Sequence, residues 1–245
     1  MLTKDQAICL RTVDYSETSQ VVTLLCRRAG KLGAIAKGAK RAKSAFEGPL
    51  EVFSYGQAVF KAPPSGGKLA TLTEFGQQPR FRGLRSSLYG LHCALLAAEL
   101  VDGLTHEADA HPELFDIFVQ FLSDVQEARG RAESLALLVL FELSLLQETG
   151  IQPMLKGCAN CRRPFKPPWR QVYFSSSANG LICEDCEQAF PEKTRLSCPV
   201  GQTLSDLKGL VTAPEAVLND VEKVLIYHFR ELMHREPRMA KHLMK

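Results

Sequence analysis

Short apolar runs, each bounded by turn residues, occupy the first third of the chain. They lie at residues 7–10, 21–26, 32–36, 52–60 and 69–75, with Gly30-Lys31 and a Pro-Pro-Ser-Gly-Gly segment at 63–67 among the breaks. Runs of this length and spacing predict β-strands joined by tight turns. Five such strands fit a small closed or partly open barrel, of which the OB-fold is the commonest kind.

The pattern then changes to a helical period. The first predicted helix spans residues 88–104, and a second begins at Pro112, because proline suits the first helical turn. Residues 135–146 are apolar almost all round, which predicts a buried third helix. Two further helices are predicted at 204–210 and 217–233.

A hairpin is predicted between the third helix and the fourth. Residues 172–174 have the composition of a strand, and Asn179-Gly180 predicts a tight turn that leads back to residue 183. We therefore predict an α+β multidomain protein. Its segments are an N-terminal OB-fold barrel at 1–80, a C-terminal helical domain at 81–153 and 191–245, and an inserted zinc-binding element of four cysteines at 154–190.

Four cysteines form two C-x-x-C pairs, Cys158 with Cys161 and Cys183 with Cys186, separated by 21 residues. One tight turn can present two thiolates to the same ion, so two turns complete a tetrahedral site of four sulfurs, which suits Zn²⁺. Four thiolates leave no open position for water or substrate, so we predict a structural zinc ion. The alternative of two redox-active dithiols is disfavoured because neither pair opens a helix after a strand.

The remaining cysteines and the overall composition indicate the cellular setting. Cys9, Cys26 and Cys93 lie in apolar stretches and are expected to be small core residues. Unpaired thiols beside a zinc site, with no charged-then-apolar leader, lead us to expect a reducing cytoplasm. No run of about 18 apolar residues occurs, so we expect no membrane span.

Charge is segregated along the chain, although the net formal charge is only +3. Residues 1–80 carry 12 Lys and Arg against 6 Asp and Glu, residues 81–150 carry 4 against 11, and residues 151–245 carry 14 against 10. The balances are +6, −7 and +4, and the chain ends in a basic tail that includes Lys245. A basic first segment followed by an acidic one predicts that the first segment meets a polyanion and the second does not.

The densest basic cluster is residues 37–44, Lys-Gly-Ala-Lys-Arg-Ala-Lys-Ser, which we call the basic loop. Its small residues keep the backbone accessible while the cations project, an arrangement that suits phosphate contacts. Arg27, Arg28 and Lys31 lie on the turn before the preceding strand and would flank that strand together with the loop.

Aromatic residues near these cations could stack on bases, as aromatics of OB-folds do. Tyr15 and Phe46 are the better stacking candidates because both are predicted to lie in loops, whereas Phe53 is expected in the core. The alternative is a solvated basic loop above core aromatics.

No catalytic constellation is evident in the sequence. It has no G-x-x-x-x-G-K-[ST] phosphate loop, no G-x-S-x-G elbow and no H-E-x-x-H zinc motif. His228 and His234 are interpreted as decorating the last helix, and Glu184 with Asp185 as solvated. We therefore predict a protein that is not an enzyme.

Several motifs, taken in order, resemble the RecO family of bacterial recombination mediators. The resemblance covers nearly the whole chain and rests on residues 7–12, 15–19, 30–32, 36–41, 44, 51–54 and 146–161. It implies an OB-fold, a helical domain and a zinc-binding element, in a protein without enzymatic activity. It also implies binding of single- and double-stranded DNA and annealing of complementary strands. With RecR, such a protein assists RecA loading onto DNA coated with single-strand-binding protein, whose acidic C-terminal tail the family binds.

The resemblance also carries roles over to individual residues. The four paired cysteines become zinc ligands, and the DNA contacts are Lys37, Lys40 and Arg41. The charge argument adds five further DNA contacts, Arg11, Arg27, Arg28, Lys31 and Lys43. These cations would neutralise phosphates on two strands, while base pairing supplies specificity and no ATP is required.

On this basis we expect a cytoplasmic, nucleoid-associated protein with no membrane contact. Three other functions stay open. The chain could be a zinc-ribbon module that binds RNA, because OB-folds bind RNA as readily as DNA. It could be an enzyme whose site is assembled from distant segments, or an adaptor whose working surface is the acidic helices.

Overall fold

The computed structural model describes residues 2–41, 43–63, 67–165 and 169–244. Most of the predicted loop at 63–67, Ala42 of the basic loop, residues 166–168 of the predicted zinc insert and Lys245 of the basic tail therefore lie outside the described residues. The chain divides into two compact units. The first unit comprises Met1–Ser87 and Ala98–Gln126, and the second comprises Leu88–Ala97 and Glu127–Lys245.

Five strands of the first unit close into a barrel with the order β1-β2-β3-β5-β4. They are β1 (Leu2–Asp14), β2 (Gln20–Cys26), β3 (Gly30–Ala36), β4 (Tyr55–Lys61) and β5 (Ala70–Gln78). All neighbours pair antiparallel except β3 and β5, which are parallel. The five predicted strands are confirmed, but β1 is far longer than expected. Its first half pairs with β4 and its second half with β2, so polar residues belong to the strand as well.

Apolar side chains at mostly alternate strand positions, both small and large, fill the barrel. Those of the core cluster are Ala7, Cys9, Val22, Leu24, Cys26, Ala34, Ala36, Ala58, Phe60, Ala70, Leu72 and Phe75. Phe46 and Leu50, from the connection between β3 and β4, join the same core. The prediction of Phe46 as a stacking residue is wrong, since only 3% of it is exposed. Alternation along strands does not show which loop residues enter a core.

The helices and the second sheet follow. They are α1 (Leu88–Leu104), α2 (Pro112–Glu127), α3 (Arg131–Glu148), β6 (Val172–Ser175), β7 (Gly180–Cys183), β8 (Thr194–Leu196), α4 (Cys198–Ser205), α5 (Glu215–Met233) and α6 (Ala240–Leu243). The second sheet has the order β7-β6-β8, and its β6–β7 hairpin confirms the predicted one. No helix within the described ranges combines the length and apolar character needed to cross a membrane.

Two expectations in the second unit are wrong. The helix predicted at 204–210 does not form, because α4 ends at Ser205 and Asp206 is extended. The Asp206 carboxylate instead accepts a hydrogen bond from the backbone N–H of Lys208. This bond caps the start of a short 3-10 helix (Leu207–Thr212). His228 does not decorate the surface, since it is fully buried on α5, and its Nδ1 lies 2.8 Å from Ser176 Oγ. It lies seven residues after Val221, on the same buried face.

Candidate nucleic-acid interface and metal centre

The four paired cysteines meet in the second unit. All four Sγ atoms lie within 4.8 Å of one another, and those of Cys161 and Cys183 are 3.8 Å apart. A tetrahedron with metal–sulfur bonds of about 2.3 Å has edges of about 3.8 Å, so this spacing fits a single ion. The cluster could therefore hold a metal ion, and all four sequence-predicted ligands are brought together.

Two tight turns set the positions of the sulfurs. In the first turn the backbone N–H of Arg162 donates to the Cys158 carbonyl at 2.9 Å, and Arg162 adopts a left-handed φ of 64°. In the second turn Cys186 donates to the Cys183 carbonyl at 3.1 Å. Cys183 is also the last residue of β7, so the hairpin fixes where the second turn begins.

The segment before the first turn is fixed to the same hairpin. Met154 donates its N–H to the Asn179 carbonyl at 2.8 Å and accepts from Leu181 at 2.9 Å. Gly180 has φ of 153°, and a side chain there would collide with the Met154 backbone. Ala159 donates to the Leu181 carbonyl at 2.7 Å, which places the first turn against β7.

Arg163 links the two turns by charge. Its Nη2 lies 2.9 Å from Glu184 Oε1, and its Nη1 lies 2.5 Å from Asp185 Oδ2. Its guanidinium carbon lies 5.4 Å from the centre of the Trp169 ring. The sequence suggested that Glu184 and Asp185 are simply solvated. The structure shows instead that both are ion-paired. The arginine offsets part of the negative charge that four thiolates around a divalent ion would carry.

The thiols of the cluster differ in acidity. Burial opposes ionisation of Cys158, but backbone hydrogen bonds from Cys161, Cys183 and Asn160 bring its pKa down to about 7. Burial raises the pKa of Cys183 to about 12. Cys158 is therefore more ready than Cys183 to act as a thiolate ligand.

The basic loop lies between β3 and β4 and is bonded to the turn between β1 and β2. Lys40 donates its backbone N–H to the Thr18 carbonyl at 3.1 Å, and Gly38 donates to Ser19 Oγ at 3.2 Å. Lys40 Nζ also lies 2.6 Å from Asp14 Oδ1. The loop and the turn therefore form one continuous surface.

A buried glutamine anchors the later part of the same connection. Gln20 Oε1 accepts from the Leu50 N–H at 3.0 Å, and Gln20 Nε2 donates to the Leu50 carbonyl at 3.2 Å. The same Nε2 lies 3.0 Å from Thr12 Oγ1. One side chain thus satisfies both backbone groups of a loop residue.

Tyr15 is the exposed aromatic residue of this surface, with 68% of it accessible. Lys37, Arg41 and Lys43 are also exposed, and none of the three takes part in a salt bridge with the described part of the chain. We call Tyr15, Lys37, Lys40, Arg41 and Lys43 the loop surface. Tyr15 remains a predicted stacking residue, now placed beside the predicted cations.

Arg27 and Arg28, by contrast, each contact an acidic side chain. Arg27 forms a two-pronged contact with Asp116, at 2.7 to 3.2 Å, which raises the pKa of the arginine and lowers that of the carboxyl group. Arg28 Nε lies 3.4 Å from the buried Asp5. Asp116 is 89 residues from Arg27, so no local sequence signal indicated the pairing.

Lys31 and Arg11 share one carboxylate. Their side-chain nitrogens lie 3.4 and 3.7 Å from the two oxygens of Asp102. Lys31 is the second residue of β3 and Lys37 follows its end, so six steps of about 3.3 Å separate them by about 20 Å. The predicted DNA contacts therefore fall into two groups, at opposite ends of the strand.

Comparison with known proteins covers nearly the whole chain. Residues 1–76 match the family model described as "Recombination protein O N terminal", and residues 85–238 match "Recombination protein O C terminal". The chain is 35% identical over 209 residues to the "DNA repair protein RecO" of Rhodopirellula baltica, covering 85% of this chain and 75% of that protein. It is 31% identical over 238 residues to the protein of that name in Bacillus subtilis, covering 94% and 89%.

Proposed function

Because this chain belongs to the RecO family of DNA repair proteins, we propose that it binds DNA through the loop surface and anneals complementary strands. In this role it binds single- and double-stranded DNA without catalysing a reaction. It acts with RecR to assist RecA loading onto DNA coated with single-strand-binding protein, and it recognises that protein's acidic C-terminal tail. A nucleoid-associated location follows from the same role.

The loop surface is the observation that carries this proposal. Lys37, Arg41 and Lys43 have no acidic partner in the described chain, so they are available to phosphates, and Tyr15 offers an exposed ring beside them. Cations that track a strand, combined with aromatic stacking, are the usual basis of single-strand binding without sequence preference. Neutralised phosphates repel a second strand less, so pairing becomes faster while base complementarity supplies the specificity.

We propose that the barrel is an OB-fold. The closed order β1-β2-β3-β5-β4 and the parallel pairing of β3 with β5 support this assignment. The division of the chain into segments 1–80, 81–153, 154–190 and 191–245 stays a prediction.

We propose Zn²⁺ as the ion of the cysteine cluster, held by Cys158, Cys161, Cys183 and Cys186. Four sulfur donors at tetrahedral spacing favour this ion. Zinc bound there would cross-link the two turns and offer no open position for chemistry. Its role is to stabilise an element that has little core of its own.

The test compares two double variants. One carries Lys37→Gln and Arg41→Gln in the loop surface. The control carries Lys4→Gln and Arg82→Gln, which remove the same charge from exposed positions of the same unit outside the loop surface. Single-strand affinity is measured against salt concentration. Two lost phosphate contacts should reduce the log–log slope by about 1.4 in the loop variant. Equal slopes in the two variants would reject the site.

The functional measurement is annealing of two complementary oligonucleotides precoated with single-strand-binding protein, without nucleotide. The protein should accelerate annealing, and the acceleration should fade as salt rises. The single variant Tyr15→Ala should anneal strands more slowly than the parent. The log–log salt slope of its single-strand affinity should equal that of the parent, because stacking involves no phosphate. Tight binding without acceleration would make the chain a general nucleic-acid-binding module, and RNA would then be tested.

A further inference from the structure

The turn between β1 and β2 carries the exposed ring of the loop surface. It comprises residues 15–19 and closes on Ser19, whose carbonyl accepts from the backbone N–H of Tyr15 at 3.0 Å and from that of Ser16 at 3.2 Å. The N–H of Ser19 donates in return to Ser16 Oγ at 3.2 Å. The backbone of Tyr15 is therefore fixed relative to Ser19, although the tyrosine itself is exposed.

The hydroxyl group of Ser19 faces the basic loop. Its Oγ accepts from the Gly38 N–H at 3.2 Å, and Gly38 follows Lys37 directly. Gly38 has φ of 74°, a left-handed value that glycine adopts without strain. Ser19 is thus bonded on one side to the residue that carries the ring and on the other to the backbone that carries the cations.

This bond lies where the β2–β3 ladder ends. The pairing of the two strands stops at Gln20 and Ala36, and the chain continues from there into the turn on one side and into the basic loop on the other. The bond between Ser19 and Gly38 extends the contact beyond the last backbone pair. Because a side chain makes this bond, a substitution can remove it and spare the ladder.

Stacking and phosphate contact differ in how precisely the groups must be placed. Attraction between charges changes slowly with distance, so a lysine on a mobile loop still neutralises a phosphate. Stacking needs atoms in van der Waals contact, and a gap of about 0.5 to 1 Å already loses about a quarter to a half of the attraction. A bond that fixes the ring relative to the cations before a strand arrives therefore removes an ordering cost from binding.

We propose that Ser19 is a positioning residue of the loop surface, whose hydroxyl holds the Tyr15 ring in register with the loop cations on one nucleic-acid strand. The hydroxyl acts through the ring and the loop rather than on the strand. This inference rests on the proposed function, because it concerns strand binding by the same surface. A serine that only stabilised the loop would matter equally with and without the ring, whereas one that sets the register matters only when the ring is present.

The experiment measures the single-strand affinity of four full-length proteins, which are the parent, Ser19→Ala, Tyr15→Ala and the double variant. Ser19→Ala should weaken binding about fivefold in the parent but less than about twofold when Tyr15 is already alanine, because no ring is left to position. The log–log salt slope of Ser19→Ala should equal that of the parent, since no cation is removed. An equal loss of affinity in both backgrounds would overturn the proposal.

Two further variants separate the hydroxyl group from the fold. Ser19→Thr keeps a hydroxyl and should bind a single strand like the parent. Thr3→Ala removes an exposed hydroxyl from β1 of the same unit and should also match the parent. Failure of Ser19→Thr to restore affinity, in a protein whose thermal denaturation matches that of the parent, would reject the role of the hydroxyl.

Hydrogen exchange at the Gly38 amide tests the bond itself without nucleic acid. Exchange should be faster in Ser19→Ala and normal in Ser19→Thr, while the Leu50 amide, which donates to Gln20 Oε1, should stay protected in both. Addition of a single strand should slow exchange at Gly38 more in Ser19→Ala than in the parent, since the variant orders its loop only on binding. Unchanged exchange at Gly38 in Ser19→Ala would contradict the proposal.

Failure of this inference can be told apart from failure of the proposed function. If Lys37→Gln with Arg41→Gln keeps the salt slope of its control variant, the loop surface is rejected as the phosphate site, and the role of Ser19 falls with it. If that slope falls as expected but Ser19→Ala has the same effect with and without Tyr15, the loop surface stands and the role of Ser19 alone is rejected.

Discussion

At the scale of single residues, acidic neighbours distinguish the barrel cations that are ion-paired from those that are not. Arg27 faces Asp116, and Lys31 faces Asp102, although all the predicted DNA contacts look alike in sequence. Lys37 and Arg41 have no such neighbour in the described chain. We therefore expect fewer phosphate contacts than there are cations in the first 80 residues.

Asp116→Asn should release Arg27 for contact with DNA. We expect single-strand affinity to rise by a few-fold and the log–log salt slope to steepen by about 0.7, the value of one phosphate contact. Glu113→Gln is the matched control, because it lies in the same helix and removes the same charge without freeing Arg27. An equal gain in both variants would mean that only the general field of the helix changed.

The candidate sites were predictable where chemistry depends on local spacing. The four cysteines could be assigned from their pairs alone, because each turn holds two ligands. The loop cations and Tyr15 could be found from composition. Phe46 could not, because its burial depends on how a loop folds over the barrel.

At the scale of elements, the zinc ion proposed for the cysteine cluster would stabilise a sheet of three short strands. Cys158→Ser should abolish stoichiometric zinc binding and lower the melting temperature, because the two turns lose their common ligand. Affinity of the folded fraction for a single strand should fall less than stability, since the loop surface belongs to the other unit. Metal analysis and thermal denaturation measure both effects.

Cys198→Ser is the control for that experiment. Cys198 is exposed at the start of α4 and is not part of the cluster, so its replacement should leave zinc content and melting temperature unchanged. Normal thermal stability of Cys158→Ser without zinc would contradict a structural role for the ion.

Element types were well predicted by periodicity, and the failures have physical causes. β1 exceeds its apolar run because backbone pairing with β4 and β2 continues through polar residues. The helix predicted at 204–210 fails because Asp206 caps a new turn with its own carboxylate. Closure of the barrel joins β1 to β4, about 50 residues apart in sequence, and no local pattern specifies such a pairing.

At the scale of the whole molecule, buried ionisable groups make stability depend on pH. Glu142 and Glu222 are buried in the second unit, and their carboxyl oxygens have no hydrogen-bond partner at standard distance among the described residues. Burial raises the pKa of both groups, that of Glu222 to about 7, and the neighbouring carboxyl group raises that of Glu142 further. Burial lowers the pKa of His228 to about 4.

These shifts act in opposite directions. The glutamates stay protonated in the fold, so the stability they contribute is complete below about pH 4.5 and is lost as pH rises through 7. His228 stays neutral, so its contribution is complete above about pH 6.5 and is lost as pH falls toward 4. The free energy of unfolding of this unit should therefore be greatest at mildly acidic pH.

Glu222→Gln should remove the loss on the alkaline side. The gain at pH 8 should be on the order of a few kcal/mol, because the parent then carries a buried carboxylate, and it should vanish near pH 4, where the carboxyl group is protonated in both the folded and the unfolded state. Thermal denaturation of the zinc-loaded protein between pH 4 and pH 9 measures it. Glu236→Gln, at an exposed position, should leave stability unchanged on both the acidic and the alkaline side. Parallel curves for Glu222→Gln and the parent would contradict the assignment.

The charge pattern of the chain was clear in sequence, but its meaning was only partly so. The acidic middle segment was expected simply to avoid the polyanion. Within the first unit it also contacts the basic segment, through Asp102 and Asp116. Net charge therefore described the segments correctly and missed that they neutralise one another in part.

The amide of Gln20 bears on the thermodynamics of binding. By bonding both backbone groups of Leu50, it extends the hydrogen-bond ladder of the barrel into the connection that carries the loop cations. A surface held in this way is preorganised, so a strand that arrives has little protein motion to arrest and a smaller entropic penalty to overcome. Association should then be governed by electrostatic attraction over distance, and recognition can be fast without being selective for sequence.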